Sequence, residues 1–377
     1  MIDVRFHSRI DDIPAQAWDA LRPDDNPFVS HAFLAALERT GCIRANWGWQ
    51  AHHLGLYEAG QLIAAAPLYL KGNSHGEFVF DWSWASAWER AAGDYYPKLL
   101  NAAPYSPVPG PRLLAGAGPH AAARRQALAS AMARFAQRMN ISSVHANFLH
   151  VDELAAFGDE WLARSDIQFH WQNHGHTDFA DFLGALNHKK RKNIRQERAH
   201  VSSSGLVIEM RCGSGLSVDE WQRIHALYES TFDAKGNHAA LTRGFFLTLG
   251  ETLGDAVQVA LAHDGSGIVA MALFLQSRDT LYGRYWGGDV DVPGLHFELC
   301  YYQGIEYAIR QGLQRFEPGA QGEHKLARGF LPVRTYSRHY LVNEDFRAAV
   351  RAALVQEDAA VCEYAEHLHS HTPYAKR

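Results

Sequence analysis

Two stretches of the chain alternate polar and apolar positions in the same way and predict the same local structure. Residues 59–70 have the sequence AGQLIAAAPLYL, and residues 264–275 have the sequence DGSGIVAMALFL. Each begins with a glycine-containing turn and continues as a period-two run that ends in Leu-aromatic-Leu. Alternation of this kind after a tight turn is typical of a β-hairpin. The pattern therefore predicts one hairpin in each half of the chain.

Aromatic segments follow both hairpins at similar offsets. Residues 78–84 (FVFDWSW) and 281–286 (LYGRYW) predict one aromatic strand each, and each strand is expected to lead into a helix that carries adjacent tyrosines. These pairs are Tyr95-Tyr96 and Tyr301-Tyr302. An ancient duplication is the simplest account of the parallel order, and a chance alignment of aromatic residues is the alternative.

The remaining pattern completes each half as an alternation of helices and strands. Ser217 and Glu220 form a capping box before an amphipathic run, and Pro119 can begin an alanine-rich helix that ends near Asn140. In the second half we expect, in order, helices over 216–253, strands over 257–286, a helix over 296–312, and strands over 314–318 and 335–342. The fold class is therefore mixed α/β, with two mixed sheets flanked by helices. The predicted domains are 1–175 and 176–377, with the boundary near 172–180.

Composition limits the classes of function. A hydrophobic content of 47% over 377 residues is enough for two cored units, and a net charge of −5 excludes bulk attraction to polyanions. The four cysteines show no paired spacing, which indicates neither a disulfide framework nor a metal site. The sequence has no apolar leader and no run long enough to span a membrane. These features predict a cytoplasmic protein without a membrane span or a bound metal.

Several long strings resemble a known family. The strings are FVFDWSWASAWER, YYPKLL, SPVPGPRLL, LHFELCYYQGIEYAI and FEPGAQGEHKLARGFLPV, and together they are similar to the FemAB-like family of N-acyltransferases over almost the whole chain. The resemblance implies a tandem duplicated GNAT-like acyltransferase fold, related to the Fem peptidyltransferases. Those enzymes transfer aminoacyl groups from tRNA to a peptidoglycan precursor. The resemblance does not imply the substrate of this chain with equal force.

Donor binding is expected in the second half. Residues 187–198 have helix-forming composition and carry Lys189, Lys192 and Arg195 at i,i+3 spacing, along one ridge that suits phosphate oxygens. In GNAT folds a loop-to-helix junction receives the donor pyrophosphate, and here that junction contains Gly287 and Gly288. The alternatives are a solvated charged face and an ordinary turn. Because a clean acetyl-CoA loop is missing here, both acyl-CoA and aminoacyl-tRNA remain open as donor co-substrates.

Catalytic candidates cluster downstream of that junction. An amine acceptor must lose a proton before it attacks, so His296, Glu298 or Glu323 is a candidate base. Tyr301 or Tyr302 is a candidate acid for the leaving group. The GEHKLARGF segment resembles the Lys-x-x-x-Gly-Phe segment of Fem enzymes, which makes Lys325 the strongest candidate for stabilising an oxyanion or donor phosphate. Arg328 is expected to hold a second anionic group. The alternative is a set of surface ion pairs within the loop.

Acceptor binding is expected in the first half. The candidate residues are Asp81, Trp82, Tyr96 and Arg112. An aromatic-rich segment with one acid suits a cleft, although core packing explains the tryptophans equally well.

The resemblance, taken with these residues, implies direct transfer of an acyl or aminoacyl group from a phosphate-bearing carrier to an amine of a small molecule or peptide, in peptidoglycan precursor metabolism. No motif for a nucleophile indicates a covalent intermediate, and no tightly bound cofactor is expected. The candidate partners are the amine acceptor and tRNA, and the oligomeric state stays open. The alternative is a non-catalytic GNAT scaffold that recognises a peptidoglycan precursor or tRNA.

Overall fold

A computed structural model describes residues 2–91, 93–233, 236–320 and 322–375. Its strands are β1 (Ile2–His7), β2 (Trp49–Ala51), β3 (His53–Glu58), β4 (Gln61–Ala66), β5 (Leu68–Lys71), β6 (Lys98–Asn101), β7 (Ser143–Ala146), β8 (Leu162–Gln172), β9 (Val207–Cys212), β10 (Val257–Asp264), β11 (Gly267–Gln276), β12 (Thr280–Gly288), β13 (Arg315–Glu317) and β14 (Leu331–Leu341). Its helices are α1 (Ala15–Asp19), α2 (His31–Arg39), α3 (Trp82–Ala91), α4 (Ala121–Arg138), α5 (Phe179–Ala185), α6 (His188–Ser203), α7 (Val218–Asp233), α8 (Arg243–Leu253), α9 (Leu295–Phe297), α10 (Gln303–Arg310) and α11 (Glu344–Ser370).

The chain forms two compact units. The first consists of Met1–Ile167 and Arg334–Tyr364, and the second of Gln168–Val333 and Ala365–Arg377. The sequence predicts a single division after residue 175 and does not anticipate the return of the chain to the first unit. The reason is that residues 334–341 belong to β14, which pairs with β7 of the first unit. Hydrophobic periodicity identifies such a strand but not its partner.

Both predicted hairpins are confirmed. β3 pairs with β4 across a turn in which Ala59 and Gly60 have φ of 49° and 81°. Two successive positive φ angles are those of a type I′ turn, whose twist matches that of the strands it joins. In the second unit β10 pairs with β11 from Val257–Leu275 to Asp264–Gly267.

The first unit contains a small antiparallel sheet and a mixed sheet. The small sheet has the order β1-β3-β4. The mixed sheet runs β2-β5-β6-β7-β14, in which only β6 and β7 are parallel. α4 connects these two strands, so this unit carries a β6-α4-β7 crossover. The predicted helix after Pro119 is confirmed as α4.

The predicted aromatic strand over 78–84 is wrong. α3 begins inside it, at Trp82, and its Trp84, Ala85 and Trp88 pack on one core cluster. Their spacing places them on one face of a helix. In so short a segment, the sequence pattern of a helical face cannot be told apart from the alternation of a strand. Tyr95 and Tyr96 lie outside any helix, before β6, because Pro97 disfavours helical backbone at the residue before it.

The second unit is built on a six-stranded mixed sheet. The order is β8-β13-β12-β11-β10-β9, with β12 and β13 parallel and the other neighbours antiparallel. α7 packs on β11 and β12, and α10 packs on β12 and β13. The predicted aromatic strand over 281–286 is confirmed within β12, and the Ser217–Glu220 capping box is present before α7. The predicted mixed α/β class is confirmed.

Burial follows the strand pattern. Residues 268–275 of β11 are all buried, as expected for a central strand covered on both faces. Over the described ranges, none of the helices combines the length and apolarity that a membrane span requires.

Candidate functional site

The second unit contains a cleft where its two parallel strands part. β12 pairs with β13 only over Thr280–Tyr282, yet β12 continues to Gly288. At the point of divergence, a Cβ on Gly283 would lie 3.2 Å from the Cα of Pro318. Glycine therefore permits the close approach of the two segments. Beyond it they enclose a cavity of about 400 Å³.

Aromatic side chains form much of the cavity wall, contributed by Tyr228, Phe232, Tyr285, Trp286 and Tyr301. A π-helical segment, Glu298–Tyr302, joins α9 to α10 beside the cleft. Such segments insert one residue into a helix and are frequent at functional sites. The two adjacent tyrosines then separate, because Tyr301 lines the cavity whereas Tyr302 contacts Glu197 of α6.

Lys325 supplies a buried cation at the cavity. It lies in a 3₁₀ helix, Glu323–Arg328, and its side chain is almost fully buried. The ammonium Nζ donates to the carbonyl oxygens of Gly319 at 2.7 Å and Ala320 at 3.1 Å. Burial lowers the pKa of Lys325 from 10.5 to about 8. An ammonium has three N–H donors. The two bonds to Gly319 and Ala320 therefore fix the position of the charge and use two of the three donors.

His324 and Tyr301 form a polar pair at the same cavity. Tyr301 Oη lies 2.9 Å from His324 Nε2. Partial burial at the cavity lowers the pKa of His324 below 6.5, and the nearby cations Arg328 and Lys325 lower it further. Burial also raises the pKa of Tyr301. At pH 7 the imidazole is therefore neutral and the phenol keeps its proton, so a base and an acid are adjacent.

Arg328 is committed to an internal network. Its Nε donates to Tyr302 Oη at 3.0 Å, one terminal nitrogen donates to Glu197 at 2.7 Å, and the other donates to the carbonyl oxygen of His324 at 2.8 Å. The guanidinium carbon also lies 3.4 Å from the ring centroid of Phe297. This network ties α6 to the 3₁₀ helix and therefore positions His324 and Lys325.

Glu298 is also held by an arginine of α6. Both of its carboxylate oxygens accept from Arg198, at 2.9 and 3.0 Å, and one also accepts from Gln303 at 2.8 Å. Glu298 is buried, and Arg198 additionally contacts Glu306. A bidentate pair of this kind fixes the orientation of the carboxylate. Glu298 is therefore a positioning group for the π-helical segment.

The two other predicted bases differ in position. His296 lines the cavity, with its ring centroid 5.2 Å from that of Trp286 and 5.6 Å from that of Tyr301. Glu323 is exposed at the start of the 3₁₀ helix and does not line the cavity. Of the five predicted catalytic residues, Lys325 and His296 thus share the cavity, and Tyr302 and Glu298 brace its walls.

The predicted donor-binding residues fall into two places. Lys189, Lys192 and Arg195 are all exposed on α6, whose N-cap Asn187 accepts from the Lys190 backbone N–H. Gly287 lies at the end of β12, where a Cβ would approach the carbonyl oxygen of Leu227 to 2.0 Å. The backbone of α7 therefore requires glycine there whether or not a ligand binds. Gly288 is also closely packed, since a Cβ would lie 3.1 Å from Trp286.

The predicted acceptor-binding residues belong to the first unit. Asp81 is buried and accepts from Ser74, Tyr95 and Lys98 at 2.5, 2.8 and 2.5 Å. Tyr96 joins the same network, 2.9 Å from the Ser74 hydroxyl. Trp82, by contrast, is 42% exposed.

Arg112 is separate from these residues and fully buried. Its side-chain nitrogens donate to the backbone carbonyl oxygens of Asn147, Pro111 and Val108, at 3.1, 3.0 and 2.6 Å. The guanidinium therefore connects loops of the first unit, with each of its three nitrogens bonded.

His324 lines the cavity although it stands outside the predicted catalytic set, and of the two tyrosines considered as the acid, Tyr301 rather than Tyr302 lines the cavity. His324 lies beside Lys325 in the polar GEHKLARGF segment, so its residue type and position are the signal that could have identified it. Tyr301 is distinguished from Tyr302 by the π-helical turn, which has no sequence period. Over the ranges that the structure describes, no group of three or more histidine, cysteine or acidic side chains could hold a metal ion.

Several solved structures have a fold similar to that of this chain. Solved structures similar to it include FemX, with a TM-score of 0.52, 10% identity and coverage of 90% of this chain and 98% of that chain. The C-terminal domain of a putative lysylphosphatidylglycerol synthetase from Agrobacterium fabrum gives a TM-score of 0.54 and 12% identity, over 90% of this chain and 96% of that one. L-PGS from Bacillus licheniformis gives a TM-score of 0.51 and 11% identity, over 89% of this chain and 97% of that one. At these identities the likeness concerns the fold.

Comparison of sequences identifies a family for this chain but no individual curated relative. The curated proteins contain no match to this chain. The model of one family, described as peptidoglycan biosynthesis and recognition, matches residues 9–376. The chain belongs to the FemAB-like family.

Proposed function

We propose that this protein transfers an acyl or aminoacyl group from a phosphate-bearing carrier to an amine, at the cleft between β12 and β13. The observation that carries this proposal is the parting of the two parallel strands into a cavity that contains a buried lysine, a neutral histidine and a tyrosine. In a GNAT fold, to which the sequence shows resemblance, the acyl donor enters where these strands separate. The family description, peptidoglycan biosynthesis and recognition, supports a precursor peptide as the acceptor.

The donor carbonyl would develop negative charge as the amine attacks. Lys325 offers a cation held by the carbonyl oxygens of Gly319 and Ala320. Because these bonds hold the ammonium in place before the reaction, little reorganisation is needed when the oxyanion forms. We therefore assign oxyanion stabilisation to Lys325.

The acceptor amine would lose its proton to a base in the cavity. His324 is the candidate that its environment favours, since partial burial and two nearby cations keep its imidazole neutral. Glu298 is less suited because Arg198 holds both of its oxygens. Tyr301, 2.9 Å from His324 Nε2, can supply a proton to the departing oxygen or sulfur of the carrier. The proton taken from the amine can thus leave with the carrier.

Exposed cations on α6 are the proposed contact for the carrier phosphates. Lys192 and Arg195 project from one ridge of this helix, and the Arg328 network joins the same helix to the catalytic segment through Glu197. A polyanionic carrier on this ridge would therefore lie on an element that is fixed to Lys325. This contact is electrostatic and should weaken as salt concentration increases.

Donor identity is tested by native mass spectrometry of the full chain. The protein is titrated separately with a panel of acyl-CoA esters and with aminoacyl-tRNA. A complex that is lost in the Lys192→Ala/Arg195→Ala variant would identify the donor class and support the proposed phosphate contact. Binding without transfer to any amine would favour a recognition module, and binding of neither donor would count against transfer.

The base assignment predicts different effects for the two cavity histidines. A general base contributes roughly 100-fold or more, so His324→Gln should lower kcat/KM by about 100-fold, whereas His296→Gln should have a smaller effect. Because its environment lowers the pKa of His324 below 6.5, activity should decline only as the pH falls below that value. The measurement is kcat/KM against pH for both variants. A larger loss for His296→Gln, or an acidic limb above pH 6.5, would contradict the assignment.

A further inference from the structure

The first unit carries a second charged cavity, which shares no lining residue with the proposed catalytic cavity. It lies between β8, β14 and α11, and its volume is about 440 Å³. Cavities that bind small molecules are typically of this size. Its charged lining consists of Arg164, Arg334, Arg338, Arg351 and Asp358. Four guanidinium groups thus face one carboxylate.

The arginines of β14 reach this cavity because of strand alternation. Arg334, Tyr336 and Arg338 are every second residue and are all half-buried, whereas Thr335 and Ser337 between them are buried. Side chains at alternate positions of a strand share one face. The sequence RTYSR therefore builds a strip of two cations and a phenol along one side of the cavity.

Arg338 has a charge that the protein does not neutralise. Its side chain donates to the carbonyl oxygen of Ser337, at 3.1 Å. Across the described part of the chain, no carboxylate lies within salt-bridge distance of Arg338, and burial lowers its pKa. A partly buried cation without a counter-ion is unfavourable unless something outside the protein supplies the negative charge.

The other arginines are satisfied only in part. Arg351 donates to the carbonyl oxygen of Asp159 at 2.9 Å. Arg334 contacts Asp358 at 2.6 Å, but its Nε is buried without a hydrogen-bond partner among the described residues. Arg164 pairs with Glu357 at 2.5 Å. The four cations therefore have two carboxylate partners, which leaves an excess positive charge of two at the cavity.

The shape and chemistry together define a class of ligand. Guanidinium groups bind phosphate in a bidentate fashion, and two uncompensated charges match the charge of a phosphate ester or a diphosphate. Beside the arginines the cavity has apolar walls formed by Leu154, Leu162, Leu354 and Val355. We propose that this cavity binds a small organic phosphate or diphosphate, with its phosphate on Arg338 and Arg351 and its organic part on the leucine side. The site is independent of the proposed transfer reaction.

The test is isothermal titration calorimetry of the full chain with inorganic pyrophosphate and with ADP. We expect saturable one-to-one binding of pyrophosphate, and tighter binding of ADP because it also covers the apolar wall. Since a hydrogen bond to a charged group contributes appreciably to affinity, Arg338→Met and Arg351→Met should each weaken binding by about 10-fold or more. Arg90→Met, which removes an exposed arginine from the same unit, should change the affinity less than about two-fold.

Two controls distinguish this cavity from the α6 ridge and from loss of the fold. Pyrophosphate is also attracted by the α6 ridge, so the Lys192→Ala/Arg195→Ala variant must retain the binding that Arg338→Met loses. Without ligand, Arg338→Met should melt at the same temperature as wild type or higher, because it removes an uncompensated charge. Arg351 is exposed, so its variant reports binding even if Arg338→Met fails to fold. An absence of saturable binding, or equal weakening by Arg90→Met, would overturn the proposal.

Discussion

Replacing Lys325 with methionine is expected to lower kcat for acyl transfer by about 100- to 1,000-fold, while donor affinity stays within a few-fold of wild type. The reason is that the buried ammonium interacts more strongly with the developing oxyanion than with the neutral donor carbonyl. An interaction made mainly in the transition state affects turnover rather than ground-state binding. Single-turnover rates and donor titrations on the same preparations would measure both quantities.

The folded state should not depend on Lys325 in the same way. Burial lowers its pKa from 10.5 to about 8, so between these pH values the unfolded chain binds more protons than the folded chain. Wild-type stability therefore increases with pH through this window, and methionine removes that dependence. At pH 7 we expect the variant to be at least as stable as wild type. A variant that unfolds, or that loses donor binding together with turnover, would contradict a role confined to the transition state.

The same pKa predicts the alkaline side of the activity profile. An oxyanion needs the protonated ammonium, so wild-type kcat should fall as the pH increases through about 8. Together with the acidic limb from His324, this gives a bell-shaped dependence between the two groups. Lys325→Met should retain only a low rate without the alkaline limb. The rate measured from pH 5 to 10 in both proteins would show whether the limb belongs to Lys325.

Local patterns predict the elements of the second unit well, because each has its own signal. The alternation over residues 264–275 indicates a hairpin, and the Ser217–Glu220 box indicates the start of a helix; both are present. The first unit is harder to predict. Residues 78–84 match a strand and a helical face almost equally, and only packing in the core decides between them. The feature that the two units share is a crossover between parallel strands, β6-α4-β7 in the first unit and β12-α10-β13 in the second.

Site geometry is less accessible to sequence reasoning. The density of polar residues around Lys325 identifies this segment as a candidate site from the sequence, and the lysine lines the cavity. A π-helical turn determines which of the two adjacent tyrosines faces that cavity. Whether an acidic side chain forms an ion pair depends on partners about 100 residues away, as for Glu298 and Arg198. Long-range partners of this kind follow from the fold rather than from spacing. Asp81 illustrates the same point, since its carboxylate accepts a hydrogen bond from Lys98, which lies 17 residues further along the chain.

The largest effect on stability is expected for Lys98→Met in the first unit. Lys98 is fully buried, and its Nζ lies 2.5 Å from Asp81, 2.9 Å from Glu77 and 2.7 Å from the Ser74 hydroxyl. Removal of one partner of a buried ion pair leaves the other charge uncompensated, which typically costs roughly 3–5 kcal/mol. We expect a decrease of this size in the free energy of unfolding at pH 7, measured by urea denaturation.

A neighbouring lysine provides the matched control. Lys71 is equally buried, but it lies 3.9 Å from Glu77 and burial lowers its pKa to about 7. Since much of its population is already neutral at pH 7, Lys71→Met should cost far less than Lys98→Met. The double variant Asp81→Asn/Lys98→Met should recover part of the loss, because it removes one of the two stranded carboxylates. Equal costs for the two lysines would mean that packing of the aliphatic stems, rather than pairing of the charge, holds this cluster together.

The pH dependence distinguishes the same two causes. Burial alone would raise the pKa of Asp81, but Lys98 and the other partners of the carboxylate hold that pKa below 3.8. The stabilisation from this pair is therefore present above pH 3.8 and is lost as the pH falls through the folded pKa. In Lys98→Met the carboxylates can instead take up protons, so its deficit relative to wild type should shrink as the pH is lowered from 7 towards 4. A deficit caused by packing would stay constant over that range, because neither the shape of methionine nor that of the lysine stem changes with pH.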